Sequence, residues 1–492
     1  MEYLAYFFAL IYFLALSFIT IYAFLEFHLL YYYLKKYKSI RQYQPPALKV
    51  WPKVTIQLPV FNELYVVERL IDVICKIDYP PALLEIQVLD DSTDETVEII
   101  TRKCREYAAK GIDIKHLHRT NRSGYKAGAL KEGLKVASGE FITIFDADFL
   151  PQPDFLKKCI PYFQNQKIGV VQTRWDHINE NYSLLTMLQA FQLNVHFSIE
   201  QSGRQSGDLL LQFNGTAGTW RKTAIEEAGG WHSDTLTEDL DLSFRAQLKG
   251  WEIYYIQEIG SPAELPAEMN GLKSQQARWM KGGAEVARKL IPVIWQSNLA
   301  FVQKLHAITL LLGSSIFVLV LALAVSSVPI SFLVSHYGIS PKYFAFGLIG
   351  TLSIILIHFM ANVRIAWNKI PLWKSVLRFI VLFPLFLVFS MGLSLHNSVA
   401  VIQGWRGKKS AFVRTPKFNI KSITDRVAKH KYLSHHLSWI TVFEGLLAGY
   451  FIYSVYWGIT TQQTNFLIFH VALALGFASI FLYTIVHISL KD

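Results

Sequence analysis

Asp146-Ala147-Asp148 places two carboxylates two residues apart directly behind the apolar run Phe141–Phe145. In a strand, residues two apart face the same side, so both carboxylates can be presented to one hard cation where the strand ends. Asp90-Asp91-Ser92 closes an earlier run, Glu85–Leu89, in the same manner. It could hold the ribose or base of a nucleotide, or simply form an Asx turn. A third acidic group, Glu238, Asp239 and Asp241, heads a stretch in which Leu240, Phe244 and Leu248 recur every four residues. That spacing predicts an amphipathic helix with Thr237 as N-cap and Gly250 past its end. The three carboxylates then fall in its first turn, where the helix dipole favours the ionised form and lowers the pKa. Taken alone they would be ordinary helix capping.

Basic and aromatic residues supply the counterpart. Asn121–Ala129 puts a glycine-containing basic loop before a helix start, where backbone N–H groups and Lys126 would suit a diphosphate; a solvated basic turn is the plain alternative. Gln275, Arg278 and Trp279 lie at i, i+3 and i+4, on one helical face. An indole there offers a stacking surface to a sugar ring and Arg278 can hold phosphate oxygens, although Arg beside Trp is also common on a helix facing lipid. Together these groups solve one problem: a nucleotide-diphosphate leaving group needs its growing charge neutralised, and an incoming hydroxyl needs a carboxylate to take its proton. Asp239 is placed as that base, with Glu238 the second candidate. A carboxylate is a far weaker base than an alkoxide, so proton transfer should be late and concerted with attack.

The elements that must position these residues alternate. Strands over Val54–Pro59, Glu85–Leu89, Ile112–Leu117 and Phe141–Phe145 are separated by helical patterns over Glu63–Ile77, Thr96–Lys110 and Lys126–Ala137. Such alternation predicts a parallel sheet covered on both faces, with its ligand at the carboxyl ends of the strands. Residues 183–200 are apolar at helical spacing and suit either a core or a membrane surface, and 264–295 predicts a long helix ending in basic and aromatic residues.

The 492 residues are 52% hydrophobic and only 17% charged, with the apolar residues gathered at both ends, which is the composition of a membrane protein. The formal charge of +11 fits a chain held against anionic lipid and handling an anionic substrate. With no arginine-rich helix or RNA-binding signature, nucleic acid is not the expected partner. Cys75, Cys104 and Cys159 are scattered without metal-ligand spacing, as in a reducing cytoplasm. Residues 1–34 predict a spanning helix, and the basic residues after it (Lys35, Lys36, Lys38, Arg41) place its end in the cytoplasm. Further apolar blocks run over about 305–333, 343–366, 376–400, 438–460 and 465–489. The linker 367–375 and the stretch 402–432, which carries nine Lys or Arg, are both basic and should be cytoplasmic. Block 376–400 therefore cannot cross once. It is expected at the interface or re-entrant, within a membrane region of 303–492, leaving five spans, an outside N-terminus and a cytoplasmic C-terminus.

The order Asp90-Asp91, Asp146-Ala147-Asp148, Thr237-Glu238-Asp239 and Gln275-Gln276-Ala277-Arg278-Trp279 resembles the family 2 inverting glycosyltransferases of the cellulose synthase superfamily. Phe213-Asn214-Gly215-Thr216-Ala217-Gly218-Thr219-Trp220-Arg221, followed by Glu227-Ala228-Gly229-Gly230-Trp231, looks most like the plant cellulose-synthase-like mannan and glucan synthases. The resemblance covers residues 50–300. It implies an α/β GT-A catalytic domain with a Rossmann-like mixed sheet, on the cytoplasmic side of an α-helical transmembrane region. It also implies UDP-glucose or GDP-mannose as donor and Mg2+ or Mn2+ as cofactor. By the same resemblance Asp90, Asp91, Lys126 and Asp146 would hold the sugar nucleotide, Asp146 and Asp148 the metal, and Asp239 would be the base. Phe213, Gly215, Thr216, Glu238, Gln275, Arg278 and Trp279 would line the acceptor site. Phe412-Val413-Arg414-Thr415-Pro416-Lys417 looks like the family's gating loop through Phe412, Thr415 and Lys417. Arg414 stands where the family has Val, and Phe418 where Gly often follows.

The first functional expectation is a β-glycan synthase that adds hexoses processively and threads its product through the membrane helices. A second is transfer of a single hexose to a lipid such as ceramide or diacylglycerol. A third, from outside catalysis, is an inactive membrane scaffold or sugar-binding sensor, against which the retained acidic positions speak.

Overall fold

The structure, a computed structural model, describes residues 2–41, 43–337, 345–365, 370–420, 425 and 437–489. Strands form where β-branched and aliphatic residues cluster: β1 (Val54–Val60), β2 (Leu84–Asp90), β3 (Ile114–His118), β4 (Phe141–Ile144), β5 (Ile168–His177), β6 (Gly218–Arg221) and β7 (Glu252–Ala263). They make one seven-stranded sheet in the order β3-β2-β1-β4-β6-β5-β7. The half read from the sequence, β3-β2-β1-β4, is parallel throughout, whereas β6 runs antiparallel between β4 and β5. The second half carried no alternating helix pattern, so its strands were not assigned from sequence.

The helices before the membrane region are α1 (Glu2–Arg41), α2 (Val67–Ile74), α3 (Thr96–Ala109), α4 (Tyr125–Val136), α5 (Phe155–Cys159), α6 (Leu184–Val195), α7 (Gln201–Ser206), α8 (Lys222–Glu227), α9 (Glu238–Leu248) and α10 (Met269–Gln296). Every residue of β2 and β4 is buried, because helices cover both faces of the sheet. On one face Leu70, Ile71 and Ile100 of α2 and α3 pack on Ile56, Ile86 and Val88; on the other, Leu130 and Leu134 of α4 pack on Leu89, Ile142 and Ile144. Burying one aliphatic side chain is worth about 1.5–3 kcal/mol, so these two layers hold the strand ends in place.

Beyond α10 follow α11 (Phe301–Leu312), α12 (Ile316–Tyr337), α13 (Gly347–Phe359), α14 (Leu372–Gly392), α15 (Ser394–Trp405), α16 (Trp439–Thr460) and α17 (Leu467–Ser489). Six stretches among the described residues are long and apolar enough to cross a membrane: Tyr6–Lys36, Phe301–Leu333, Gly347–Ile365, Leu372–Gly392, Trp439–Thr460 and Leu467–Val486. By that length and apolarity the chain is a multi-pass membrane protein. The count exceeds the expected five by α14, which the charge argument had set aside. Residues 366–369, which include the first three residues of the linker 367–375, and residues 421–424 and 426–436 of the second basic stretch lie outside the described residues.

α6, read from sequence as core or interfacial, packs its Leu188 and Phe191 against Val363 and against Phe379, Phe383 and Phe386 of α14. Its Leu185 meets Met269 and Leu272 of α10, Leu393 and Ile480 of α17. α10 is tied to the last two helices by a buried ion pair, Lys273 to Glu444 at 2.6 Å, with Thr484 accepting a second bond at 2.9 Å. The same helix approaches α9 at Gly282, where a Cβ would lie 2.5 Å from Thr237 Cγ2, so only glycine lets α10 close on the start of α9.

Candidate active site

A cavity of about 190 Å³ opens at the carboxyl ends of β1, β2, β4, β5 and β7. The start of α9, one face of α10 and the segment Phe412–Lys417 close it. Asp91, Lys126, Asp146, Asp148, Gly215, Glu238, Asp239, Gln275, Arg278, Trp279, Phe412, Thr415 and Lys417 all line this one cavity.

Each is positioned by local structure. Asp91 receives a two-pronged contact from Arg119, Nε to Oδ1 at 2.7 Å and Nη2 to Oδ2 at 2.6 Å. Asp146 follows β4, and its N–H donates to Thr216 Oγ1 at 2.9 Å. Lys126, in the first turn of α4, donates to Asp146 Oδ1 at 2.5 Å and to the Gly215 carbonyl at 2.9 Å. Gly215 has φ +80°, and a Cβ there would lie 2.6 Å from Asp239 Oδ2, so the chain at this point must be glycine for Asp239 to occupy its place. Asp148 is held by Lys417 Nζ at 2.8 Å and by the Glu264 N–H at 3.0 Å. The Arg278 guanidinium lies 4.5 Å over the Phe412 ring, which stacks on Tyr125 at 5.8 Å, and Arg414 pairs with Glu63 at 3.1 Å.

Three predicted residues stand elsewhere. Asp90 is fully buried and turned away from the cavity: its Oδ2 lies 2.9 Å from His116 Nε2 and 3.1 Å from His118 Nδ1, and its Oδ1 accepts from the Ser92 N–H at 2.8 Å. Consecutive strand residues face opposite sides, so only one of Asp90 and Asp91 can reach the ligand. Phe213 is buried edge-on against Trp220 at 5.4 Å, and Thr216 braces Asp146 from behind; of that segment Asn214 and Gly215 line the cavity. Asp241 is buried in pairs with Arg245 and Lys289, each at 2.8 Å. Sequence reading missed Glu63, Trp175, His177 and Glu264, which also line the cavity. The alternation Trp175-x-His177 at the end of an apolar run was the available signal for two of them.

The expected dipole effect on α9 is overridden. Burial, then the neighbouring Asp239 charge, pushes Glu238 up to about 7, with Lys126 opposing. Burial likewise raises Asp239 above the usual carboxylate range against the pull of Lys126. A dipole contributes about 0.3–1 kcal/mol at an exposed helix end, which desolvation of a buried carboxylate exceeds. Thr237 makes no side-chain capping bond.

The donor set suits a hard divalent cation. Asp146 and Asp148 offer carboxylate oxygens at one wall, and the positive charge beside them is carried by the ammonium groups of Lys126 and Lys417. Among the described residues two other clusters converge as closely as metal ligands do, Asp90 with His116 and His118, and His232 with Asp234 and Asp241; neither contains a residue of the cavity.

A mixed seven-stranded sheet covered by helices, with its cavity at the strand ends, makes this a GT-A-like α/β domain. Residues 52–282 match the family model described as Glycosyltransferase like family 2. The chain is 42% identical over 279 residues to glucomannan 4-beta-mannosyltransferase 2 of Arabidopsis thaliana, covering 56% of this chain and 52% of that protein. It is 43% identical over 264 residues to glucomannan 4-beta-mannosyltransferase 1 of Oryza sativa subsp. japonica, covering 52% of this chain and 51% of that one. The matched region thus spans about half the length of these curated relatives. In fold, the chain is similar to the mannosyltransferase PcManGT of Pyrobaculum calidifontis, solved in complex with GDP-Man and Mn2+, with a TM-score of 0.53 at 17% identity over 81% of this chain and all of that one.

Proposed function

We propose that the chain is a membrane-embedded inverting hexosyltransferase that moves a hexose from a sugar nucleotide, GDP-mannose or UDP-glucose, to the end of a growing β-glycan. The carrying observation is that Asp239, raised in pKa by burial, shares one cavity with Asp91, the Asp146 and Asp148 pair and the Gln275–Trp279 face. The mannosyl donor takes precedence because the similar plant proteins are named for glucomannan mannosyl transfer.

Asp239 takes the proton of the acceptor hydroxyl as its oxygen attacks the anomeric carbon from the side opposite the diphosphate, which inverts that centre. General-base assistance of this kind is worth about 10²–10⁴-fold. Lys126 and Arg278 lie against the carboxylate cluster and neutralise charge growing on the leaving diphosphate. A divalent cation, Mg2+ or Mn2+, held by Asp146 and Asp148 would add to that neutralisation. Trp279 gives the acceptor ring a stacking face, and Phe412–Lys417 covers the cavity.

The same reading puts the catalytic domain, α6, α10 and α14–α15 on the cytoplasmic side, with the N-terminus outside and the C-terminus cytoplasmic. The segment after α15 enters the catalytic cavity, so α15 must end on the catalytic side. Its 12 residues rise only about 18 Å, too little to return across a hydrocarbon core of roughly 30 Å. α14 is therefore assigned along the interface, where α6 covers it, leaving five crossings.

A second reading, hexose transfer to a membrane lipid, draws on an apolar cleft of about 80 Å³ between α6, α14 and α17, lined by Leu185, Leu188, Val388 and Ile480. Incubating the purified full chain with a panel of labelled sugar nucleotides and sizing the product separates the two. A ladder of lengths is expected; one sugar per lipid would overturn the polymer, and no transfer to any acceptor would overturn both.

A further inference from the structure

One wall of the cavity carries polar atoms that no protein group satisfies. β5 and β7 end side by side, with Trp175 paired to Ser261 and His177 to Ala263 in parallel register. Residues two apart on a strand share a face, so Trp175 and His177 lie together, and Glu264 follows the end of β7. All three line the cavity. Trp175 Nε1, His177 Nε2 and Glu264 Oε2 are buried and have no hydrogen-bond partner among the described residues, although Glu264 is only 3% exposed. Buried polar atoms are almost always paired, so three orphans on one wall call for a ligand that pairs them.

Their other contacts fix them in position. Trp175 is held between Phe149 at 5.3 Å and Phe197 at 5.2 Å. Glu264 Oε1 accepts the Phe418 N–H at 2.7 Å, and the Glu264 N–H donates to Asp148 Oδ2 at 3.0 Å, which joins this wall directly to the carboxylate pair that follows β4. Burial, with Arg174 and Lys417 nearby, holds His177 far down at about 3, so its imidazole is neutral and offers one donor and one acceptor.

We propose that Trp175, His177 and Glu264 form a subsite for the hydroxyl groups of one pyranose ring, a reading that rests on the hexosyl-transfer assignment above. The indole gives a donor, the free Glu264 oxygen an acceptor, and the imidazole either; hydroxyls, which both donate and accept, match that set. A diphosphate does not, because Glu264 sits beside Asp148 and the cations that line the cavity next to it are engaged, Lys417 with Asp148 and Arg414 with Glu63. The ring is supplied by one of two sources, the hexose of the sugar nucleotide or the terminal hexose of the acceptor.

The test uses the full chain with His177→Leu, Trp175→Phe and Glu264→Gln. The first two remove no side-chain atom that hydrogen-bonds to another described residue, so the fold loses no hydrogen bond among them. Affinities for the sugar nucleotide and for its bare nucleoside diphosphate are measured beside the acceptor KM. A loss of kcat/KM of about tenfold is expected, as for one hydrogen bond to a bound sugar, with affinity for the bare diphosphate unchanged. Weaker binding of the sugar nucleotide alone assigns the ring to the donor, and a raised acceptor KM alone assigns it to the acceptor. Unchanged kinetics in all three variants, or equal loss of affinity for the nucleotide with and without its sugar, would overturn the subsite. Wild-type protein that transfers no hexose at all would instead bring down the hexosyl-transfer assignment on which it stands.

Discussion

β2 and β4 lie one strand apart in the same sheet and both end in paired aspartates, yet the two pairs are arranged differently. Asp146 and Asp148, separated by one residue, both reach the cavity; Asp90 and Asp91, adjacent, are split, one into the cavity and one under α3 with His116 and His118. The difference teaches that spacing parity, more than acidity, decides which carboxylates can serve a common ligand. Each of the three strand-end carboxylates in the cavity has its own cation, Lys126 on Asp146, Lys417 on Asp148 and Arg119 on Asp91, while Asp90 is satisfied by imidazoles and a backbone N–H.

The comparison can be broken most decisively at the carboxylate that joins the β4 pair in the cavity. Asp239→Asn keeps the shape and removes the base, so transfer is expected to fall by about 10³-fold in single-turnover assays while nucleoside diphosphate affinity stays within about twofold. Undiminished transfer would take Asp239 out of the reaction. Asp148→Ala is expected next in size: binding of the sugar nucleotide in Mn2+ should weaken by about 10²-fold and lose its dependence on added metal, since a ligand of a hard cation is gone. Binding that still responds fully to chelator would place the metal elsewhere.

Substitution at the β2 end sharpens the contrast directly. Asp91→Asn should weaken nucleotide binding by about tenfold, whereas Asp90→Asn should leave it within about twofold and instead lower the melting temperature, because a buried hydrogen-bonded charge is being altered. Equal effects of the two on nucleotide binding would refute the split.

The smallest effect concerns pH. Glu238, pushed up to about 7, is protonated in the folded chain where an unfolded glutamate, with a pKa of about 4.3, is ionised. A carboxylate raised in this way contributes stability that is complete below the unfolded value and is lost as pH climbs to the folded one. Glu238→Gln should therefore melt a few degrees above wild type near pH 8 and close to it near pH 4, as seen by calorimetry at both ends. Because burial raises Asp239 as well, transfer should fall on acidification at a higher pH than an exposed aspartate would give.

Much of the catalytic half was legible from local pattern. The runs ending at Asp90 and Asp146 alternate with helical patterns, and Gln275, Arg278 and Trp279 share a helical face by spacing alone, so β1 to β4, α3, α4 and α10 could be placed. β5, β6 and β7 could not, since β6 is four residues long and antiparallel, and its neighbour β7 is brought beside β5 only by the whole chain. α14 shows the same limit at the membrane: its apolar length qualifies it to cross, and its proposed place along the interface rests on its contacts with α6 and the course of the chain after α15, which no local pattern records.

By itself the sequence determined which residues carry charge, which stretches are apolar enough for lipid and which side chains share a face, because these follow from composition and from periods of 2.0 and 3.6. Only the tertiary structure decided that Asp91, Asp148 and Asp239 look into one cavity, that Asp90 looks away from it, and that Trp175, His177 and Glu264 wait there unpaired. The sign of the shift at Glu238 and Asp239 belongs with these, since desolvation depends on what packs over a helix end, and no local pattern records that.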